Sequence, residues 1–418
     1  MADPGDSIEA DTNDQHSEDD DDETLPRSIT SSIYQYREEN GHTYHAYKDG
    51  LYPYPNDPNE LDRLDLQHHL LKLTLGQRLF LAPIKKNPQN VLDIATGTGV
   101  WAGEFADDYP SCLVTANDLS PSQAFELPPN VLFEVDDANE PWIYHRRFDF
   151  IHARQHHGAV EEKRLMQQSL EFLHPEGWLE MQEYSFPMKC DDNTFPSDCS
   201  LYKWSELMVE ASRQIGQDLH KPVYYEQWMK DAGFVNVKAM VYKIPTNKWP
   251  REKNEKTKGL WQMANILQGL SGVTLALFTR VLGWQASEIE EFLKGVQKDI
   301  RNRNIHAYWE FYAVYGQKSK IAEHQEMARI QTPYSSNTSV GNDARGREAK
   351  HPGGMVGGRA LVNVQDRMPL RLGRPARSGP LTRPEAENRK PGTLHPPFQR
   401  YMTINIKQNS FETLQYQQ

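Results

Sequence analysis

Cysteine is scarce in this chain: Cys112, Cys190 and Cys199 are the only three among 418 residues, and no CxxC pair occurs. That excludes a disulfide framework and points to a reducing interior. Long apolar runs are missing as well. The most apolar window, Ile266 to Trp284, is broken by Gln268, Ser271, Thr274 and Arg280, which excludes a membrane span. No secretory apolar segment opens the sequence. The expectation is a soluble intracellular protein, cytoplasmic or nuclear. Residues 1–24 lack any Lys or Arg but hold eight Asp and three Glu, so residues 1–30 read as a disordered, self-repelling acidic tail. Residues 320–418 invert the balance, with 15 Lys and Arg against 8 Asp and Glu in a Gly- and Pro-rich setting without hydrophobic period. They read as a disordered basic tail. No aromatic pattern accompanies its arginines, so nucleic acid is disfavoured as a partner. One acidic domain, residues 31–319, is left between the tails.

What that domain does have is concentrated between Asn90 and Asp118. A short apolar run, Val91 to Ile94, follows the breaker Pro88 and suits a buried parallel strand. Then come Ala95-Thr96-Gly97-Thr98-Gly99, a helix over about Val100 to Asp108, and a second apolar run, Leu113 to Ala116, ending at Asn117-Asp118. Strand, glycine turn, helix, strand and acid make one βαβ nucleotide-binding unit. Gly97 and Gly99 let the backbone turn sharply and approach a ligand that a Cβ would block. Asp118 falls where a carboxylate accepts hydrogen bonds from ribose hydroxyls. Gly97-x-Gly99-x-x-Ala102 also satisfies the dinucleotide fingerprint, so NAD is a rival ligand. Asp93, an acid ahead of the turn, repels a pyrophosphate and suits a cation. S-adenosylmethionine carries an ammonium and a sulfonium and no phosphate, so it is the favoured ligand.

Further strands are expected at Val131–Val135, Phe148–Ala153, Trp178–Tyr184, Val235–Ile244 and Ala307–Tyr315. Asp136, Asp137 and Ala138 close the first of these, where an acid can accept from an adenine amino group and Ala138 can line the ring. The second runs into Arg154-Gln155-His156-His157, placing His152, Arg154, His156 and His157 at the carboxyl edge of the sheet. Adjacent histidines without carboxylates at ligand spacing make no metal site. His152 and His156 are the candidate general bases, since imidazole titrates near neutrality; Arg154 has a structural reading as well. Helices are expected from Leu61 to about Phe80, with Arg63 and His68 on its other faces, and over Leu165–Leu173, Tyr224–Ala232, Leu260–Leu282 and Ser287–Arg301. The tyrosines Tyr44, Tyr47, Tyr52 and Tyr54 resemble a packed loop, either covering the domain or forming a lid that excludes water from the reaction. Residues 189–222 form an insertion at a point where pockets are shaped.

In order, these pieces resemble a class I methyltransferase, and more narrowly the fungal LaeA-like family. The resemblance runs from about Tyr44 to Gly316. It is carried by YPYPNDPNELDRLDLQH, LDIATGTGVWAGEFADDYP, NDLSPSQAFELPPNVLFEVDDANEPW and FDFIHARQHHGAV. It continues through HPEGWLEMQE, CDDNTFP, AGFVNV, NKWP and NRNIHAYWEF. Ala95 stands where the signature has its first glycine. The resemblance implies a Rossmann-like α/β fold: a mostly parallel seven-stranded sheet with helices on both faces, a helical N-terminal cover and a pocket insertion. It implies dependence on S-adenosylmethionine and a role in fungal secondary metabolism. It leaves open a tailoring enzyme acting on a small-molecule acceptor or a nuclear regulator working with velvet-type proteins. Asp93, Ala95, Gly97, Gly99, Asp118, Leu119, Asp137 and Ala138 are the expected cofactor residues.

Overall fold

The computed structural model describes residues 36–46, 50, 52–121 and 127–320. Both tails and Tyr47 lie outside the described residues. Seven strands form one sheet: β3 (Asn90–Ile94), β4 (Leu113–Asp118), β5 (Val131–Val135), β6 (Phe148–Arg154), β7 (Leu173–Lys189), β8 (Val235–Pro245) and β9 (Tyr308–Gln317). Their spatial order is β5-β4-β3-β6-β7-β9-β8, with β9 antiparallel to both neighbours and every other pairing parallel. The order reverses between β3 and β6, so a crevice opens at their carboxyl ends, where ligands bind in open α/β sheets.

Alternation along the strands assigns the two faces. Val91, Val114 and Phe150 pack against α2 (Val100–Asp108) through Trp101 and Phe105. Leu92, Ile94, Ile151 and Leu179 face α3 (Glu162–Phe172) and α5 (Tyr225–Ala232) through Leu165, Met166, Tyr225 and Met229. A third cluster lies beyond the strand ends. There α1 (Pro58–Thr74), α4 (Ser200–Gln214), α6 (Lys253–Arg280) and α7 (Ala286–Arg301) bury Leu70, Trp204, Leu270 and Val296 with Tyr184 and Phe311 of the sheet. α1 starts because Asp57 caps it, accepting from the Glu60 N–H at 3.0 Å, with Pro58 in the first turn.

Four expectations change. Tyr44 is not in a loop: β2 (His42–Tyr44) pairs antiparallel with β1 (Arg37–Glu39) around Asn40-Gly41, both at positive φ. Strands of three residues are too short to show a period, and Asn-Gly was the signal for the turn. The insertion contains a full amphipathic helix, α4. β7 begins at Leu173, directly after α3, rather than at Trp178, with Glu176 at φ 65 marking an irregularity on the way. Finally, Arg63 and His68 are buried rather than free on outer faces, because α1 is covered by α6 and by the site.

Candidate active site

The carboxyl ends of β3, β4, β5 and β6 open into one cavity of ≈ 1170 Å³ including its mouth. Its floor is the turn after β3. Ala95, Gly97 and Gly99 lie at φ 55, 59 and 79. Glycine takes such angles freely, whereas Ala95 bears a cost of about 1–2 kcal/mol. The turn is fastened to β4 by the Thr96 N–H donating to the Asn117 carbonyl at 3.0 Å.

Asp118 closes β4 above this turn. Its Oδ2 accepts the Gly97 N–H at 2.9 Å and its Oδ1 the Ser120 N–H at 3.0 Å. Burial pushes its carboxyl up to about 6 against the pull of those N–H groups. Leu119 lines the wall beside it. Asp136, Asp137 and Ala138 follow β5 on the same wall, and Asp137 accepts the Asn139 N–H at 2.9 Å. All eight expected cofactor residues except Gly99 line the cavity; Gly99 caps α2 at its edge.

Asp93 lines the cavity but is engaged on both oxygens. Oδ2 accepts from Thr96 Oγ1 at 2.5 Å, and Oδ1 meets His152 Nδ1 at 2.7 Å. His152 is fully buried, stacked on Trp101 with ring centroids 3.8 Å apart and planes 4° from parallel. This corrects the expectation of a base there. His152 is absent from the cavity wall and braces the glycine turn from below, and burial holds its imidazole below the usual range. His156 does line the cavity. Neither of its ring nitrogens has a hydrogen-bond partner among the described residues, and burial pushes its pKa down to about 3, so it presents a neutral ring. His157 is likewise pushed to about 3 and packs on Tyr54 at 4.9 Å between centroids. Beneath them the Glu183 carboxyl accepts the His157 and Tyr184 N–H groups, yet burial outweighs these and raises it to about 8.

Of the residues that brace this wall from outside it, Asp65 and Glu104 were not singled out from the sequence. Asp65 of α1 accepts from Thr98 Oγ1 at 2.7 Å. Arg154 Nη2 lies 2.9 Å from His68 Nδ1, and His68 Nε2 lies 3.2 Å from Glu104, which also takes Lys72. No carboxylate pairs with Arg154 among the described residues, and burial lowers its guanidinium to about 10. Apart from histidines, Arg154 is the one basic side chain on the described wall, against Glu60, Asp93, Asp118, Asp136 and Asp137. The tyrosines Tyr52 and Tyr54 also stand on this wall.

A family model described as a methyltransferase domain matches residues 66–239. The protein named probable methyltransferase tdiE, of Emericella nidulans, is 41% identical over 297 residues, spanning 70% of this chain and 92% of its own length. The secondary metabolism regulator LAE1 of Cochliobolus heterostrophus is 35% identical, spanning 68% of this chain and 94% of its own. The chain belongs to the LaeA-like methyltransferase family. Among solved structures, a phosphoethanolamine N-methyltransferase 2 of Haemonchus contortus, in complex with S-adenosyl-L-methionine, superposes over 62% of this chain and 52% of its own. Its TM-score is 0.36 and its identity 19%.

As a LaeA-like methyltransferase the chain uses S-adenosylmethionine as its methyl donor. The walls fit that group. The described wall offers the carboxylates of Glu60, Asp93, Asp118, Asp136 and Asp137, which suit hydroxyls and an ammonium, and one guanidinium, Arg154, which suits a carboxylate. A pyrophosphate, with two charges to neutralise, fits this sign pattern poorly. Among the described residues no helix is long and apolar enough to cross a membrane.

Proposed function

We propose that this chain transfers a methyl group from S-adenosylmethionine to a small-molecule acceptor in fungal secondary metabolism. The observation that carries the reading is the sign pattern of the cavity: Asp93, Asp118, Asp136 and Asp137 on three strand ends, opposed by Arg154 alone. In this reading Asp118 accepts from the ribose hydroxyls, and Asp137 with Ala138 and Leu119 holds the adenine. The turn Ala95–Gly99 supports the methionine chain, with the charge of Asp93 beneath its ammonium. Arg154 receives its carboxylate, which replaces the missing counter-ion of a buried cation.

Bound there, the cofactor supplies a methyl already activated on a sulfonium. The protein's part is therefore to position and to exclude water. Tyr52 and Tyr54, packed edge to face at 5.0 Å, cover the cavity from the N-terminal segment. If the acceptor must lose a proton, His156 is a neutral imidazole on the wall that can take it, and its low basicity limits it to strongly acidic protons.

A second reading, a nuclear regulator working with velvet-type proteins, is supported by the relative named a secondary metabolism regulator. Metabolite profiling of the host strain against one carrying Gly99→Arg tests between them, with folding of the variant checked. The first reading expects one pathway to stall with a precursor one methyl group lighter. Many unrelated products falling together without such a precursor would sink it in favour of the regulator.

A further inference from the structure

Behind the cofactor cavity lies a second, smaller one of ≈ 470 Å³ including its mouth. The two share Tyr54 and Gln67 as common wall. The second is built from elements outside the nucleotide-binding unit: α1, the end of β7, α4 of the insertion, α6 and β9. Its walls are aromatic. Phe186 meets Trp204 at 5.9 Å and Trp309 at 6.2 Å, and Tyr184 meets Trp309 at 6.4 Å, all edge to face.

The charged groups at this cavity are already matched. Arg63 forms a two-pronged pair with Glu60 at 2.7 and 2.8 Å and also donates to Asn265 Oδ1 at 2.8 Å. Asn265 Nδ2 and the Tyr184 hydroxyl both donate to Gln262 Oε1 at 3.2 Å. His157, also on this wall, is a neutral ring. The Gln262 side chain is 3% exposed and its oxygen takes two donors, yet its Nε2 group donates to nothing among the described residues. That N–H₂ group is not sealed off, and its open donors on the cavity wall make it the recognition point for a ligand oxygen.

We propose that this second cavity is the acceptor subsite, and that it takes a neutral, planar aromatic molecule whose hydroxyl or carbonyl oxygen accepts a hydrogen bond from Gln262 Nε2. The class follows from three features. Aromatic walls favour a flat ring. With Arg63 and Glu60 paired, no charge is left over to meet an ionic acceptor, whose desolvation would go uncompensated. The shared wall of Tyr54 and Gln67 sets the subsite next to the cofactor. The proposal rests on the reading that the first cavity holds S-adenosylmethionine.

The test uses the full chain saturated with S-adenosylhomocysteine, titrated with 2-naphthol while the tryptophan emission is followed. Two variants are compared. Val273→Phe places a ring into the cavity, and Gln262→Met removes the donor. Both are first titrated with S-adenosylhomocysteine, whose affinity should stay within about twofold of the unsubstituted chain because neither residue touches the first cavity. The expected result is saturable naphthol binding, weakened about fivefold or more by Gln262→Met and at least about twentyfold by Val273→Phe. Naphthalene-2-carboxylate should bind about tenfold more weakly than 2-naphthol. Absence of naphthol binding, equal affinity in Val273→Phe, or tighter binding of the carboxylate overturns the proposal. Failure of the unsubstituted chain to bind S-adenosylhomocysteine overturns the cofactor reading instead, and the naphthol titration is then read by itself.

Discussion

Arg154 is where the account of the cofactor is most exposed. The half-buried guanidinium has as its described hydrogen-bond partner His68, which burial pushes down to about 4, and in the proposed reading the methionine carboxylate is its counter-ion. Arg154→Met should weaken S-adenosylhomocysteine about 10–100-fold, the worth of one charge-assisted hydrogen bond. Binding of 5′-methylthioadenosine, which has no carboxylate, should be unchanged; calorimetry on both ligands checks it. Asp118 gives a pH signature. Its folded carboxyl is raised to about 6, and in the proposed reading it is the ionised form that accepts from both ribose hydroxyls. Affinity for S-adenosylhomocysteine should therefore hold above pH 6 and fall about tenfold per unit below it. Asp118→Asn should bind weakly and lose that dependence. Asp118, Gly97 and Gly99 were legible in the sequence because their geometry is local to one strand-turn-helix. The surroundings of His152 were not legible because Asp93 reaches it through the register of β3 and β6, and Trp101 through the packing of α2 on the sheet. Strand-end position told where His152 is but not which way its ring points.

Among the elements, the contact of α1 with α6 decides whether the two cavities share a wall. A Cβ added at Gly269 would stand 2.2 Å from Cδ of Arg63, whose guanidinium is fixed by Glu60 and Asn265. Gly269→Ala should destabilise by about 1–3 kcal/mol despite the better helix propensity of alanine, as urea unfolding would show. A neutral or stabilising result would mean that the two helices are free to part. All seven sheet strands and α2 were readable, since apolar runs between breakers carry the signal. The β1–β2 ribbon was not, with three residues a strand, nor was α4, whose segment looked like a loop behind its Asp- and Pro-rich beginning. α6 was found, but its small residues gave no hint that Arg63 packs on one of them.

At the scale of the whole molecule, the fold keeps several buried acids against the ordinary direction. Glu183, raised to about 8, is protonated in the folded chain over a range where the unfolded chain is ionised. The folded state then binds the extra proton, so this group's contribution to stability is greatest at low pH and declines as pH rises from about 4.5 to 8. Glu183→Gln removes the titration at some fixed cost in hydrogen bonds. The unsubstituted chain should lose about 1.4 kcal/mol per pH unit relative to that variant between pH 5 and 8; a flat difference would place the carboxylate ionised throughout. The central claim is that the glycine turn holds S-adenosylmethionine. Calorimetric titration with S-adenosylhomocysteine, of the unsubstituted chain and of folded Gly99→Arg, tests it most directly. The account predicts about micromolar binding for the first and a loss of about a hundredfold or more for the second. Equal binding by the two, or none by either, would contradict it.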